Sequence, residues 1–331
     1  MRVAAIGVGH WHSLYDAAYL RILSGIPDVE LVGLHDPSAH VAAKRAAALG
    51  HPPVFTDHRE MLEKTKPDFV VALGPHSRMA ATAHDLLDRD IAFMMEKPMG
   101  VNAAEVSAIA TKAATKNAFV AVPLPQRYSP FAVRARRMLA DGRFGPLSHL
   151  YFRLNRPTSA RYPAWDSPWM LDPALAGGGC LRNLGSHCLD LLLLLTGEEA
   201  EVTAAQLSAR ALGQRVEDYA SVQLRTAGGV LGTIELGNTV PYGGSDSEFK
   251  IAGRDAILVV HHDETMRVIT SAGEERTSAP PPEPLYPTAV RDILDHWRRG
   301  VPPPVGVHDC LRVVRLIDQA YDLAGRTGPC R

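Results

Sequence analysis

Cysteine is scarce and scattered in this chain of 331 residues: Cys180, Cys188, Cys310 and Cys330 form no CxxC pair. That excludes a paired disulfide framework and points to free thiols in a reducing, cytoplasmic setting. Neither sign of charge is in excess. Lys plus Arg is 35 and Asp plus Glu is 36, a net of −1, so there is no electrostatic ground for a nucleic-acid or acidic-membrane partner. Long apolar runs are also missing. The leucine-rich stretch 189–195 contains Asp190 and stops at Thr196-Gly197; it is far too short to span a bilayer and reads as a buried helix. The opening MRVAAIGVGH resembles a secretory leader only briefly, because Gly7, Gly9 and His10 fall where its apolar centre should continue. No leader is expected. Nor is a metal site: no HExxH spacing occurs, and His261 and His262, beside Asp263, would point to opposite faces of a strand.

What the chain does contain is 46% hydrophobic residues over a length that suits two domains. RVAAIGVG reads as a strand and HSLYDAAYLRILSG as a helix ending at Gly25. VELVGLHD is a second strand, and SAHVAAKRAAALG a helix capped by Ser38 and stopped at Gly50. PDFVVALG, SRMAATAHDLLDRD, IAFMMEKP, AAEVSAIATKAATKN and AFVAVPLP continue the alternation. This pattern predicts a parallel, doubly wound sheet, a dinucleotide-binding Rossmann domain over 1–124. Beyond it the period changes. SPFAVRARRMLADGRFG is helical, LSHLYFRLNRP alternates, and AEVTAAQLSAR, DYASVQLRTAGG, VLGTIELGNTV, SEFKIAGRDAILVVHH and MRVITSAG are period-2 segments with glycine-containing turns. Strand following strand predicts a large, mostly antiparallel sheet in a second α/β domain over 125–331. APPPEPLYP reads as a stiff surface connection. Two helices close the chain, and the last, over 307–325, is expected to pack back on the first domain.

AIGVGHWH sets Gly7-x-Gly9-x-x-His12 in the first strand-to-helix turn. The glycines allow a tight turn and close approach of a pyrophosphate to backbone N–H groups. His12 stands where the fingerprint has Gly or Ala. The second strand ends at Asp36, where an acid accepts from the adenine ribose 2′-hydroxyl and repels a 2′-phosphate, favouring NAD over NADP. Ser38 and Arg45, close by, argue the other way, and Asp36 could equally cap the next helix.

MMEKPMG at 94–100, GGGCLRNLGSHCLD at 177–190 and the N-terminal GxG together resemble the Gfo/Idh/MocA oxidoreductase family, which includes inositol dehydrogenases and glucose–fructose oxidoreductase. PQRYSPFAVRARRMLADGRFG is similar to the opening of that family's second domain, and WMLDPALAGGG to the approach to its catalytic helix. The resemblance implies a Rossmann domain followed by an open-sheet α/β domain, NAD or NADP, and sugar or polyol substrates. It also implies homodimers or homotetramers packed through the sheet. It makes Lys97 of EKP and His187 catalytic, with Asn183 where the family carries Asp. Cofactor contacts are expected from Gly7, Gly9, His10, Trp11, His12, Asp36, Glu96, Lys97 and Arg127. Gly74, Pro75 and His76, replacing the family's TPN, join them. Substrate contacts are expected from Lys97, Trp165, Trp169, Asn183 and His187.

The residue chemistry agrees with that mapping. Oxidising a secondary alcohol needs a base for the hydroxyl proton while hydride leaves the same carbon. Lys97 ends a strand at the carboxyl edge where open α/β sheets bind ligands, and desolvation brings a lysine towards neutrality. Asn183, His187 and Asp190 fall on one helix face, so Asp190 could fix the imidazole tautomer. Asn183 can hydrogen-bond a substrate but cannot take a proton. Trp165 and Trp169 offer apolar faces to sugar C–H groups, or simply pack. Arg153, Arg156 and Arg161 read as solvated charges or marks of an anionic substrate. The leading expectation is an NAD-dependent dehydrogenase of a sugar, cyclitol or sugar acid. Asn183 keeps open a lyase, hydrolase or oxidoisomerase using NAD transiently, or a non-catalytic NAD(H)-binding protein.

Overall fold

Strands β1 (Arg2–Ile6), β2 (Glu30–His35), β3 (Val54–Phe55), β4 (Phe69–Ala72), β5 (Ala92–Met95) and β6 (Val120–Ala121) pair in parallel, in the order β3-β2-β1-β4-β5-β6. They belong to a computed structural model that describes residues 1–241, 243–261, 265–278 and 284–325. β1 and β4 are buried on both faces, as a sheet covered by helices requires. The strand order reverses between them, which opens a crevice beyond their carboxyl ends. Helices α1 (Tyr19–Ser24), α2 (Ala39–Ala47), α3 (His58–Thr65), α4 (His76–Asp88) and α5 (Ala103–Lys116) connect the strands. Ser38 caps α2 through the Val41 N–H, and Asn102 caps α5 through the Glu105 N–H.

Two expectations change here. β3 and α3 carry too few residues to stand out in the pattern, although Asp57 caps α3 by accepting from the Arg59 and Glu60 N–H groups. The helix expected over 12–25 is broken into a 3-10 turn at Trp11–Ser13 and the short α1, with Asp16 and Ala18 left-handed at φ +50°. His12 and Tyr19 both bond the same Glu96 oxygen. A continuous helix would hold those two positions about 10 Å apart along its axis.

The rest of the chain begins with α6 (Pro130–Ala140), β7 (Leu147–Asn155), α7 (Thr158–Ala164), α8 (Pro173–Ala176) and α9 (Cys180–Thr196). β8 (Ala200–Ser208), β9 (Tyr219–Thr226), β10 (Leu231–Gly237), β11 (Asp246–Gly253), β12 (Ala256–His261), β13 (Thr265–Thr270) and β14 (Gly273–Ser278) follow, then α10 (Leu285–Arg298) and α11 (Val307–Leu323). The eight strands form one sheet, β14-β13-β12-β11-β7-β10-β9-β8, antiparallel except where β7 meets β10. α9 is buried on nearly every side, and its leucines pack with Phe152, Val222, Ile234 and Leu236 of the sheet. No helix among the described residues is long and apolar enough to cross a membrane.

Two units result. One comprises Met1–Pro123, Arg161–Gly177 and Tyr286–Leu311; the other comprises Leu124–Ala160, Gly178–Leu285 and the chain from Arg312. The single boundary expected after residue 124 therefore misses two segments. α10 buries Val290, Ile293 and Leu294 in the core of the first unit, while α11 gives Val313, Leu316, Ile317 and Ala320 to the second. The helix expected to pack back, 307–325, is divided: Val307–Leu311 belong to the first unit, where the Cys310 thiol donates to the Pro98 carbonyl at 3.3 Å, and the rest belongs to the second. Of the proline-rich connection, Leu285, Tyr286 and Pro287 are helical, and 279–283 lie outside the described residues.

Candidate active site

A cleft of about 590 Å³ lies at the carboxyl ends of β1, β2 and β4, and Gly7, Gly9, His10, Asp36, Gly74, Pro75 and Trp169 are among its walls. Gly7 has φ +70°, and a Cβ there would sit 2.3 Å from the Leu73 carbonyl oxygen. At Gly9 a Cβ would sit 2.7 Å from Asp36 Oδ2. Only glycine lets these loops close so far. The Gly9 N–H donates to Asp36 Oδ2 at 2.8 Å and the Ser38 N–H to Oδ1 at 3.0 Å. A glycine turn beside a fixed acid at the end of β2 is a donor and acceptor set that fits a dinucleotide's pyrophosphate and ribose.

The remaining residues expected here sit around that cleft in different ways. Trp169 lines it, with His10 at 5.6 Å and His76 at 5.1 Å between ring centres. Trp165 does not; it stacks on Tyr15 at 5.7 Å. Trp11 is buried against Tyr162 and Trp169 rather than facing the cleft. His76 also stays behind the wall, where its Nδ1–H donates to the Ala176 carbonyl at 2.7 Å. Arg45, weighed as a partner for a 2′-phosphate, is 0% exposed and donates from Nε to the Val8 carbonyl at 3.1 Å. Its charge is held inside the fold, under the glycine turn.

His12 turns inward too. Its Nδ1 is 3.0 Å from Glu96 Oε2, which also accepts from the Tyr19 hydroxyl at 2.7 Å, and Glu96 Oε1 accepts the Lys97 N–H at 3.2 Å. His12 Nε2 lies 3.4 Å from Asp16. Burial penalises both charges of the pair, but their attraction prevails: Glu96 is held down to about 2 and His12 is raised above the ordinary histidine value. Burial and the Glu96 charge push the Tyr19 hydroxyl well up. Glu96, expected at the cofactor, therefore acts as an internal anion. It anchors the end of β5, from which Lys97 follows at 2% exposure. Neither Glu96 nor Lys97 lines the cleft itself.

Arg127, Asn183 and His187 belong to the second unit. The glycine run before α9 serves close packing: a Cβ on Gly179 would lie 2.1 Å from the Glu217 carbonyl oxygen. Glu217 Oε1 accepts from the Leu181 N–H at 3.1 Å and the Tyr321 hydroxyl at 2.7 Å. Asn183 and His187, 3% and 7% exposed, occupy successive turns of the helix that this anchoring fixes. Asp190, expected to orient His187, forms a bidentate pair with Arg127, the arginine expected at the cofactor. Arg127 Nε donates to its Oδ2 at 2.8 Å and Nη2 to its Oδ1. Among the other arginines, Arg153 pairs with Asp246 and Arg161 lies over the Trp165 ring. His261 meets Glu248 at 3.7 Å, while His262 and Asp263 lie outside the described residues.

Sequence reasoning missed Tyr19, Asp16 and Ser167, whose hydroxyl donates to the Gly9 carbonyl at 3.1 Å. The available signal was the placement of His12 itself, a bulky polar residue where a small one belongs.

Residues 1–124 match the family model described as an oxidoreductase family with an NAD-binding Rossmann fold, and 132–259 match the GFO/IDH/MocA C-terminal domain. The trans-1,2-dihydrobenzene-1,2-diol dehydrogenase of Bos taurus is 30% identical over 203 residues, covering 59% of this chain and 57% of that protein. Inositol 2-dehydrogenase of Rhizobium meliloti (strain 1021) is 24% identical over 266 residues, covering 79% and 77%. The matches to the diol dehydrogenases of Sus scrofa, Mus musculus and Bos taurus span 57%, 66% and 57% of those proteins. Among solved structures, levoglucosan dehydrogenase in complex with NADH has the same fold, with a TM-score of 0.83, 18% identity and coverage of 100% and 99%. GenD2 from gentamicin A biosynthesis, in complex with NAD, gives 0.84, 22% identity and coverage of 99% and 95%.

Proposed function

The chain belongs to the Gfo/Idh/MocA oxidoreductase family, and from that membership we propose that it moves hydride between NAD and a secondary alcohol carbon of a sugar, cyclitol or sugar acid. The observation that carries the reading is Lys97, a buried amine directly after β5 whose backbone N–H is held by the equally buried Glu96. Relatives named as dehydrogenases of a 1,2-diol and of inositol support a hydroxyl-bearing substrate.

Bound in the cleft, NAD supplies the hydride acceptor, with the Gly7–Gly9 turn taking the pyrophosphate and Asp36 the adenine ribose. The chain's own residues handle the proton. Lys97 Nζ takes it from the reacting hydroxyl as the alcohol is oxidised and returns it in the reverse direction. His187 hydrogen-bonds the substrate as a second proton carrier, and Asn183 orients a hydroxyl without carrying charge. Asp36, fixed by two backbone N–H groups, and Arg45, held inside, favour NAD over NADP.

The test is a panel of aldoses, cyclitols and aldonates followed by NADH absorbance, then repeated with Lys97→Ala on the best substrate. Turnover should fall by about 10²–10⁴ while NADH affinity stays near native. Near-native turnover would remove Lys97 from the chemistry.

We further infer that copies associate as a dimer or tetramer through one face of the eight-stranded sheet. α9 packs against the face that carries Phe152 and Ile234. On the opposite face the half-buried Tyr151 and Arg153 bond Glu235 and Asp246. Light scattering on the purified protein tests this, and a monomeric mass would refute it. The buried thiols of Cys180 and Cys188 suit a cytoplasmic setting.

A further inference from the structure

His10 is 1% exposed, yet it lines the cleft. Its Nδ1 accepts the His12 N–H at 3.0 Å and so caps the 3-10 turn. A nitrogen that accepts cannot carry the proton, so in the neutral ring the proton sits on Nε2. The ring is neutral: burial and the neighbouring His12 hold it well below the ordinary histidine value, with His76 and Lys97 adding to this and Glu96 opposing. The Nε2–H meets no acceptor among the described residues. The ring itself cannot turn freely, because it stacks on Trp11 at 4.0 Å between centres and 18° between planes. A buried donor with a fixed tautomer and a fixed ring but no partner is costly unless something else supplies the acceptor.

The cleft says which end that acceptor comes from. Asp36 marks the end of β2, on one side of β1. His10 lies towards the other side, with its ring centre 5.1 Å from that of His12, which pairs with Glu96 at the end of β5. We propose that His10 reads the cofactor: its Nε2–H donates to an oxygen of the dinucleotide beyond the AMP portion, on the pyrophosphate or the nicotinamide ribose. This rests on the dinucleotide reading of the cleft and adds a side-chain contact to it.

Two substitutions separate the two nitrogens. His10→Asn keeps an acceptor near the Nδ1 position, so the turn stays capped, and has nothing at the Nε2 position. His10→Gln keeps an N–H near Nε2 and loses the cap. NADH and AMP are titrated separately by calorimetry at a temperature well below every variant's Tm. His10→Asn should weaken NADH about 3–10-fold, with AMP affinity and Tm nearly native. His10→Gln should hold NADH close to native affinity while its Tm falls. Native NADH affinity in His10→Asn, or an equal loss for AMP and NADH, overturns the inference. A native protein that binds neither ligand would instead overturn the dinucleotide reading, and this inference with it.

Discussion

Both oxygens of Asp36 accept backbone N–H groups, from Gly9 and Ser38, so its charge cannot swing away from a ligand at the end of β2. A ribose 2′-hydroxyl finds an acceptor there, whereas a 2′-phosphate meets a fixed like charge. Asp36→Ala should therefore narrow the preference for NADH over NADPH by about tenfold, read as the ratio of two Kd values. A native protein that binds NADPH more tightly would end this assignment. The side chain at 183 poses the opposite problem, a neutral amide where a carboxylate is customary. Asn183 is buried in α9, so Asn183→Asp would bring a charge into surroundings built around an amide. We expect kcat/KM on the same substrate to fall about tenfold or more. A clear rise would mean instead that the site still suits the aspartate. The place of Asp36 at the end of β2 and of Asn183 on α9 was legible in sequence, because motif and position coincide. Arg45 was not, since nothing local reveals that its guanidinium faces the Val8 carbonyl.

Glu96 joins three elements: the turn after β1 through His12, α1 through Tyr19, and the end of β5 through the Lys97 N–H. Its pH behaviour follows from the direction of each shift. Glu96 is lowered from 4.5 to about 2, so its contribution to stability is complete above about pH 4.5 and is lost as pH falls towards 2. His12 is raised from 6.5, so its contribution is complete below about pH 6.5 and is lost as pH climbs through the raised value. The gap in Tm between the native protein and His12→Gln should therefore be widest between about pH 4.5 and 6.5 and shrink on either side. A gap that does not vary with pH would mean that His12 only fills space. The same cluster explains why the helix over 12–25 misled. Its apolar spacing was sound, but a carboxylate far along the chain recruits both His12 and Tyr19, and the segment breaks between them. The long, strongly periodic elements, α4, α5 and α9, are unbroken and were readable from sequence.

Across the whole molecule, alternation of strand and helix revealed the sheet of the first unit but not everything that completes its core. An amphipathic helix shows in sequence that it has an apolar face, not which surface that face will cover. α10 carries Val290, Ile293 and Leu294 into the first unit, and the segment Arg161–Gly177 brings Tyr162 and Trp169 against Trp11. A fragment ending at residue 124 would contain all six parallel strands and the glycine turn, yet leave those apolar surfaces exposed. Each buried aliphatic side chain contributes about 1.5–3 kcal/mol, an upper estimate because the unfolded chain already buries some of that surface. The three from α10 alone then approach the total of about 5–15 kcal/mol that holds a typical domain together. The isolated 1–124 fragment should accordingly lack a cooperative thermal transition by circular dichroism and bind NADH far more weakly than the full chain. Adding residues 285–311 in trans, as a peptide containing α10, should recover part of both signals, because it returns the missing apolar face. A 1–124 fragment that melts cooperatively and binds NADH like the full chain would show that the Rossmann sheet is self-sufficient and that α10 is merely attached to it.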